Sequence, residues 1–275
     1  MPIISHGFAQ TGPGGVEQTN GSSALAWWVK ADEGVYEDTG TDVAESGDGV
    51  NQWNDASGSN LHIQQTTALN RPTFTTNVLN GQPVIRFESA NEEYFEAISA
   101  DFFQNNYSIF LVGYASGASQ SFIAVTFPTD HGILVEQTNL STFRFLHRNP
   151  VGASGGNSLY GSTTLNTTTS QVLSCTRGTP SGGTQQTWIN GADNESITGS
   201  EANFSSTGSL VLGRLGAAYS SRHLDGDIAE VIVMSKEVNA AERIIIENYL
   251  AAKYGLTLGA NDLDSRVVDD DVVVV

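Results

Sequence analysis

The side chains of this chain best suited to chemistry are carboxylates set in glycine-rich loops. Glu37-Asp38-Thr39-Gly40-Thr41-Asp42 and Glu45-Ser46-Gly47-Asp48 gather hard oxygen donors in one short stretch. Calcium takes such oxygens from flexible loops, which makes Asp38, Asp42 and Asp48 candidate Ca2+ ligands. Asp225 and Asp227, just ahead of an apolar run, form a second candidate pair. No EF-hand spacing is present, and acidic loops of this kind read equally as solvated turns. For an organic ligand, Tyr219, Arg222 and His223 combine a stacking ring with hydrogen-bonding groups in one loop.

Catalytic spacings are missing. Retaining glycoside hydrolysis needs two carboxylates about 5 Å apart, which one strand supplies through acidic residues at alternate positions. No Glu-x-Asp-x-Glu or Glu-x-Asp-x-x-Glu strand occurs, and the nearest cluster, Glu92-Glu93-Tyr94-Phe95-Glu96, falls at a turn. His6, His62, His131, His147 and His223 are scattered, without a zinc-binding pair on one helix face. Neither a Gly-x-Ser-x-Gly elbow nor a phosphate-binding loop is found. The expectation is a protein that is not an enzyme.

The balance of charge narrows the partners. Thirty acidic residues against 12 basic ones give a formal charge of −18. A field of that sign repels nucleic-acid phosphates and anionic lipid, so neither is an expected partner. No apolar run is long enough to span a bilayer, so membrane insertion is not expected. Cys175 is the single cysteine, which excludes an intramolecular disulfide. It lies in the alternating segment Gln171 to Thr176, where it reads as a small buried apolar residue. Met1 to Gln10 lacks the basic and apolar regions of a signal peptide.

The elements that must position these residues are mostly strands. Apolar or alternating runs predict strands at 24–31, 83–88, 94–98, 107–114, 121–127, 132–136, 142–147, 172–177, 186–189, 209–212 and 228–235. In 142–147, Phe143 and Phe145 alternate with Arg144 and Leu146. Asn190-Gly191 and Asp225-Gly226 read as turns, because both residue types tolerate positive φ. One helix is marked by Asn239 as its cap, Glu242 three residues on and Gly255 as its stop. Ala241, Ile245, Tyr249 and Ala252, with Ile246 and Leu250 beside them, form its expected buried face. Many strands with one helix predict an all-β, two-sheet antiparallel jelly-roll sandwich with one short C-terminal helix.

A family resemblance rests on the two ends of the chain. Near the N-terminus stand Pro13-Gly14-Gly15-Val16, Leu25-Ala26-Trp27-Trp28-Val29-Lys30-Ala31-Asp32, Val50-Asn51-Gln52-Trp53-Asn54-Asp55, Arg71-Pro72-Thr73-Phe74 and Pro83-Val84-Ile85-Arg86-Phe87. Near the C-terminus are Gly226-Asp227-Ile228-Ala229-Glu230-Val231 and Tyr249-Leu250-Ala251-Ala252-Lys253-Tyr254-Gly255-Leu256-Thr257-Leu258. Over 13–258 the chain resembles the laminin-G-like, concanavalin A-like jelly-roll domains of large secreted and surface-attached bacterial proteins. The resemblance implies roughly 12 to 14 strands in two sheets. It implies binding of a carbohydrate, or of a surface protein or peptide, sometimes through calcium, in adhesion or substrate capture. Fold alone does not fix function.

Domain boundaries follow from the same reading: a flexible or edge lead at 1–20, the jelly-roll domain at 21–258 and an acidic, valine-rich tail at 259–275. Trp28 and Trp53 read as packing residues. Trp27 must face opposite to Trp28 and is the candidate for an exposed sugar platform. Glu230, on an apolar strand, needs a partner such as an arginine or backbone amides and reads as structural. The tail ends in Val272-Val273-Val274-Val275. It is either a linker or a strand that pairs with an edge of its own domain or of a neighbouring copy. In the second case the chain is a structural subunit of an extracellular filament or matrix, self-associating by strand exchange.

Overall fold

The computed structural model describes residues 11–127, 130–149, 156–180, 182–199, 202–216 and 222–259. Among these described residues, seventeen strands follow one another. They are β1 (Leu25–Lys30), β2 (Val35–Tyr36), β3 (Gln52–Trp53), β4 (Ile63–Gln64), β5 (Thr73–Leu79) and β6 (Gln82–Phe87). Next come β7 (Phe95–Ala100), β8 (Tyr107–Ala115), β9 (Gln120–Thr126), β10 (His131–Gln137), β11 (Thr142–His147) and β12 (Asn157–Thr164). The set closes with β13 (Gln171–Arg177), β14 (Thr184–Ile189), β15 (Ala192–Thr198), β16 (Gly208–Leu212) and β17 (Gly226–Met234), then helix α1 (Ala240–Tyr254).

These strands form two antiparallel sheets. The first has the order β15-β14-β13-β8-β17-β6-β5, with β1 also paired to β17. The second has the order β12-β11-β10-β9-β16-β7-β4-β3-β2. The all-β, two-sheet antiparallel sandwich with a single C-terminal helix is therefore the fold. The count exceeds the resemblance's because β2, β3 and β4 are two residues each. Such short pairings leave no period-2 signal to read.

Alternation along β1 assigns its two tryptophans to different layers. Trp27 points between the sheets with Val29, Trp53, Phe87, Phe95, Tyr107 and Phe145. Trp28 points outward and packs with Phe110, Ile232, Leu250 and Tyr254. The outward side of this sheet is not solvent, because α1 lies across it. Trp27 is accordingly 0% exposed, with its indole N–H donated to the Leu61 carbonyl at 2.8 Å. This corrects the expectation of an exposed platform: both faces of β1 are covered.

Helix α1 starts and stops at the expected residues. Asn239 and Glu242 form a reciprocal capping box, and Gly255 ends the helix in the left-handed region at φ 64°. Its buried face, however, is Arg243, Ile246, Glu247, Leu250, Ala251 and Tyr254, while Ile245 is 41% exposed. The face is turned relative to the apolar count because two charged residues pair with each other inside it. Glu247 accepts from Ser174 Oγ at 2.8 Å and is ion-paired to Arg243, whose guanidinium lies 4.4 Å from the Trp188 ring centroid.

Residues 11–20 pack on the sandwich. Pro13 and Val16 are buried, Val16 in the cluster beneath α1, and Glu17 is ion-paired to Lys236. Asn190 and Gly191 have positive φ and turn β14 into β15 as expected. Asp225-Gly226 is not a hairpin. Gly226 opens β17, and a Cβ there would lie 2.1 Å from the Tyr114 carbonyl oxygen. Close approach of two strands, not a turn, requires this glycine. The tail residues Val272, Val273, Val274 and Val275 lie outside the described residues.

Candidate functional site

The outer face of the second sheet is not the face that α1 covers, and it gathers aromatic and charged side chains. One register row runs across it as Leu146, Leu134, Ala124, Val211 and Glu96, on five neighbouring strands. Leu215, from the segment after β16, packs on the apolar middle of that row, with Tyr94 against it. At one side the Arg214 guanidinium lies 3.3 Å from the Tyr94 ring centroid and 3.7 Å from Glu96.

At the other side lies the most developed constellation. On β10, Glu136 is opposite Arg144 of β11, which is opposite Tyr160 of β12. Phe143 and Phe145 face the core, so strand alternation sends Arg144 outward. Arg144 Nη1 donates to Glu136 Oε1 at 2.7 Å, and its Nε donates to Ser158 Oγ at 2.7 Å. Its guanidinium sits 4.9 Å from the centroid of the Tyr160 ring, which is 55% exposed. Arg222 closes the set: its Nη1 is ion-paired to the other oxygen of Glu136. Glu136 is almost fully buried, so two guanidinium groups give it the charged partners that burial demands. A bulge in the β9–β10 pairing brings Ser121 opposite Glu136, and the Ser121 N–H donates to the Arg222 carbonyl at 3.0 Å.

An exposed ring with a guanidinium on one side and hydrogen-bonding groups around it can hold a polar ligand with a flat apolar face. Of the residues expected to bind a ligand, Arg222 belongs here. His223 is buried, Trp27 is in the core, and Tyr219 lies outside the described residues. Sequence reasoning missed Glu136, Arg144 and Tyr160. The Phe143–Arg144–Phe145–Leu146 alternation was a usable signal for Arg144, since it marks that residue as facing away from the core.

The expected metal ligands Asp38, Asp42 and Asp48 lie around Glu37, while Asp225 and Asp227 stand at the entry to β17. Asp38 Oδ1 accepts from the backbone N–H groups of Gly40, Thr41 and Asp42 at 2.8–3.0 Å, which holds its carboxyl below the usual range. Glu37 is pushed the other way, first by its hydrogen bond with Asp42 and then by the charges of Asp42 and Asp48. Asp48 Oδ2 accepts from the Glu45 N–H. Asp225 Oδ2 accepts from Ser116 Oγ at 2.9 Å. Asp227 does not point to a cation: Arg86 grips both its oxygens, at 2.8 and 2.9 Å. Among the described residues no three His, Cys, Asp or Glu side chains are grouped to hold a metal ion. In this arrangement the oxygens of Asp38 and Asp48 accept from turn N–H groups, and those of Asp227 accept from an arginine fork.

The remaining tempting carboxylate is structural. Glu230 is fully buried and accepts from Trp28 Nε1 at 2.6 Å, Tyr254 OH at 2.9 Å and Lys253 Nζ at 2.9 Å. Its charged partner is a lysine rather than the expected arginine. It fastens α1 to the first sheet.

Fold and surface together define a class: an all-β sandwich with an aromatic and arginine-bearing outer sheet. Solved structures with the same fold include binding domains. One is the binding domain of Paraclostridial Mosquitocidal Protein 1, with a TM-score of 0.59 at 11% identity over 85% of this chain and 53% of that one. Another is the binding domain of Botulinum Neurotoxin DC in complex with SialylT, with a TM-score of 0.54 at 11% identity over 83% and 52%. The third is Trypanosoma rangeli sialidase with the inhibitor DANA, with a TM-score of 0.53 at 9% identity over 90% and 36%. The chain thus spans about half of each binding-domain chain and about a third of the sialidase. At such identities the likeness is one of fold alone. No protein-family model matches the chain, and no curated protein sequence matches it. Among the described residues no helix is long and apolar enough to cross a membrane.

Proposed function

We propose that this chain is a non-catalytic module, of the laminin-G-like and concanavalin A-like kind, that binds carbohydrate in a secreted or surface-attached protein. The contact surface is the outer face of the second sheet around Tyr160, Arg144, Arg222 and Glu136. The observation that carries this reading is the exposed Tyr160 ring, fixed by Arg144, which Glu136 in turn fixes. Rigid aromatic faces stack on the apolar face of a sugar, while guanidinium N–H groups meet its oxygens. That the similar solved structures include a toxin binding domain complexed with SialylT and a sialidase complexed with DANA supports a sugar as the ligand.

The same arrangement supports the non-catalytic part of the reading. Glu136 is held between two arginines, one on each carboxylate oxygen, so both oxygens are already engaged within the protein. No metal step is included. A glycan array tests the proposal, run with the protein as it is and in the presence of a chelator. Binding to a defined set of glycans is expected, and binding that the chelator abolishes would reinstate calcium. An array without any bound glycan in either condition contradicts the proposal.

A further inference from the structure

Resting on that reading, we infer that the ligand is a short acidic glycan whose carboxylate or sulfate group seats in the open fork of Arg222. The backbone at Arg222 is left-handed, with φ 66°, and its carbonyl is tied to β9 by the Ser121 N–H. The guanidinium is oriented by Glu136 through Nη1 only, and the side chain is 35% exposed. Among the described residues Glu136 is the only side chain hydrogen-bonded to it. A guanidinium carries five N–H donors in a fixed fork, and among the described residues only Nη1 of Arg222 is engaged by a side chain.

The neighbouring charges favour an oxyanion. Glu136 is the one carboxylate ion-paired to both Arg144 and Arg222, which leaves the trio one positive charge in excess. Arg144 is already engaged by Glu136, Ser158 and the Tyr160 ring. The surplus charge therefore resides at Arg222, the more exposed of the two. A neutral sugar leaves it without a counter-ion, whereas a carboxylate or sulfate pairs with it through two parallel hydrogen bonds. The formal charge of −18 on the whole chain opposes a long polyanion. The combination selects a short glycan with a single acidic group, its sugar ring on Tyr160 and its anion on Arg222.

Lactose, sialyllactose and sulfolactose, titrated calorimetrically into the full chain, share a backbone and differ in the acidic group. The acidic forms should bind at least about tenfold more tightly than lactose, and the tighter of the two tells carboxylate from sulfate. Arg222→Gln should remove that advantage. Arg222→Lys, which keeps the charge and loses the fork, should retain only part of it, with melting temperatures showing that both variants are folded. Lactose binding as tightly as the acidic forms overturns the inference, as does an acid preference that survives Arg222→Gln. An array that yields only neutral ligands also overturns it while leaving the binding module in place. An empty array removes the module and this inference together.

Discussion

Trp28 Nε1 donates to Glu230 Oε1 at 2.6 Å, tying β1 to β17 beneath helix α1. These residues lie far apart in sequence, and their bond is buried. Tyr254, Lys253 and, at 3.5 Å, Tyr249 reach the same carboxylate from the helix, so five side chains from three elements meet at one point. The arrangement explains how a carboxyl group sits at the centre of an otherwise apolar layer. Both of its oxygens have donors, and one donor is a lysine.

Glu230→Ala should cost about 3–5 kcal/mol of stability, because it breaks the buried pair with Lys253 and leaves the Trp28 indole N–H without its acceptor. Glu230→Gln should cost less, since its amide oxygen still accepts from Trp28. Urea unfolding of both variants measures this. Equal stability of Glu230→Ala and the parent protein would show that α1 does not depend on this contact.

The helix carries a second buried carboxylate with a pH signature. Burial pushes the carboxyl of Glu247 up to about 7, while Arg243 and Ser174 pull in the opposite direction. A folded-state value above the ordinary 4.5 means that the folded protein holds the proton more tightly than the unfolded chain. The associated stability is fully present below that ordinary value and is lost as pH rises through about 7. His147, lowered by burial to about 3, acts with the opposite sign. Its stability is present above the ordinary histidine value and is lost in acid. The two are separated by comparing the melting temperature of Glu247→Gln with the parent across about pH 5 to 8. The variant should lack the decline that the parent shows, and parallel curves would refute the assignment.

Gly226→Ala tests the strand approach. A Cβ at this position would sit 2.1 Å from the Tyr114 carbonyl oxygen, so β17 and β8 must separate. A loss of about 1–3 kcal/mol is expected, read by chemical denaturation. An unchanged midpoint would place Gly226 in a turn that tolerates a side chain.

Trp27→Phe should lower stability while leaving ligand affinity untouched, since Trp27 lies between the sheets. A loss of about 1–3 kcal/mol is in keeping with a smaller core ring. Weakened glycan binding by a stably folded variant would return Trp27 to the ligand site.

Much of this fold is legible in the sequence, and the illegible parts have physical causes. Segments such as Tyr107 to Ala115 and Thr142 to His147 are buried along most of their length, so their apolar pattern is dense. Thr73–Leu79, Asn157–Thr164 and Ala192–Thr198 are polar and half exposed. Their strand form comes from pairing with a neighbour rather than from their own composition. The helix was legible at both ends because capping is local chemistry. Its buried face was not, because Arg243 and Glu247 enter the interior as a pair. Most of the candidate site was invisible for a similar reason: Glu136 and Arg222 are distant in sequence and meet only through sheet register. Arg144 has a local signal in its alternation with Phe143 and Phe145, and Arg222 has one in a loop with ring and cation side by side.

Tyr160 is the ring through which the proposed ligand contact is made. The direct measurement is the affinity of the parent protein and of Tyr160→Ala for the glycan that binds best on the array. Binding should fall by about tenfold to a hundredfold, with the melting temperature unchanged because the ring is 55% exposed. Undiminished affinity in Tyr160→Ala would contradict the assignment of this face.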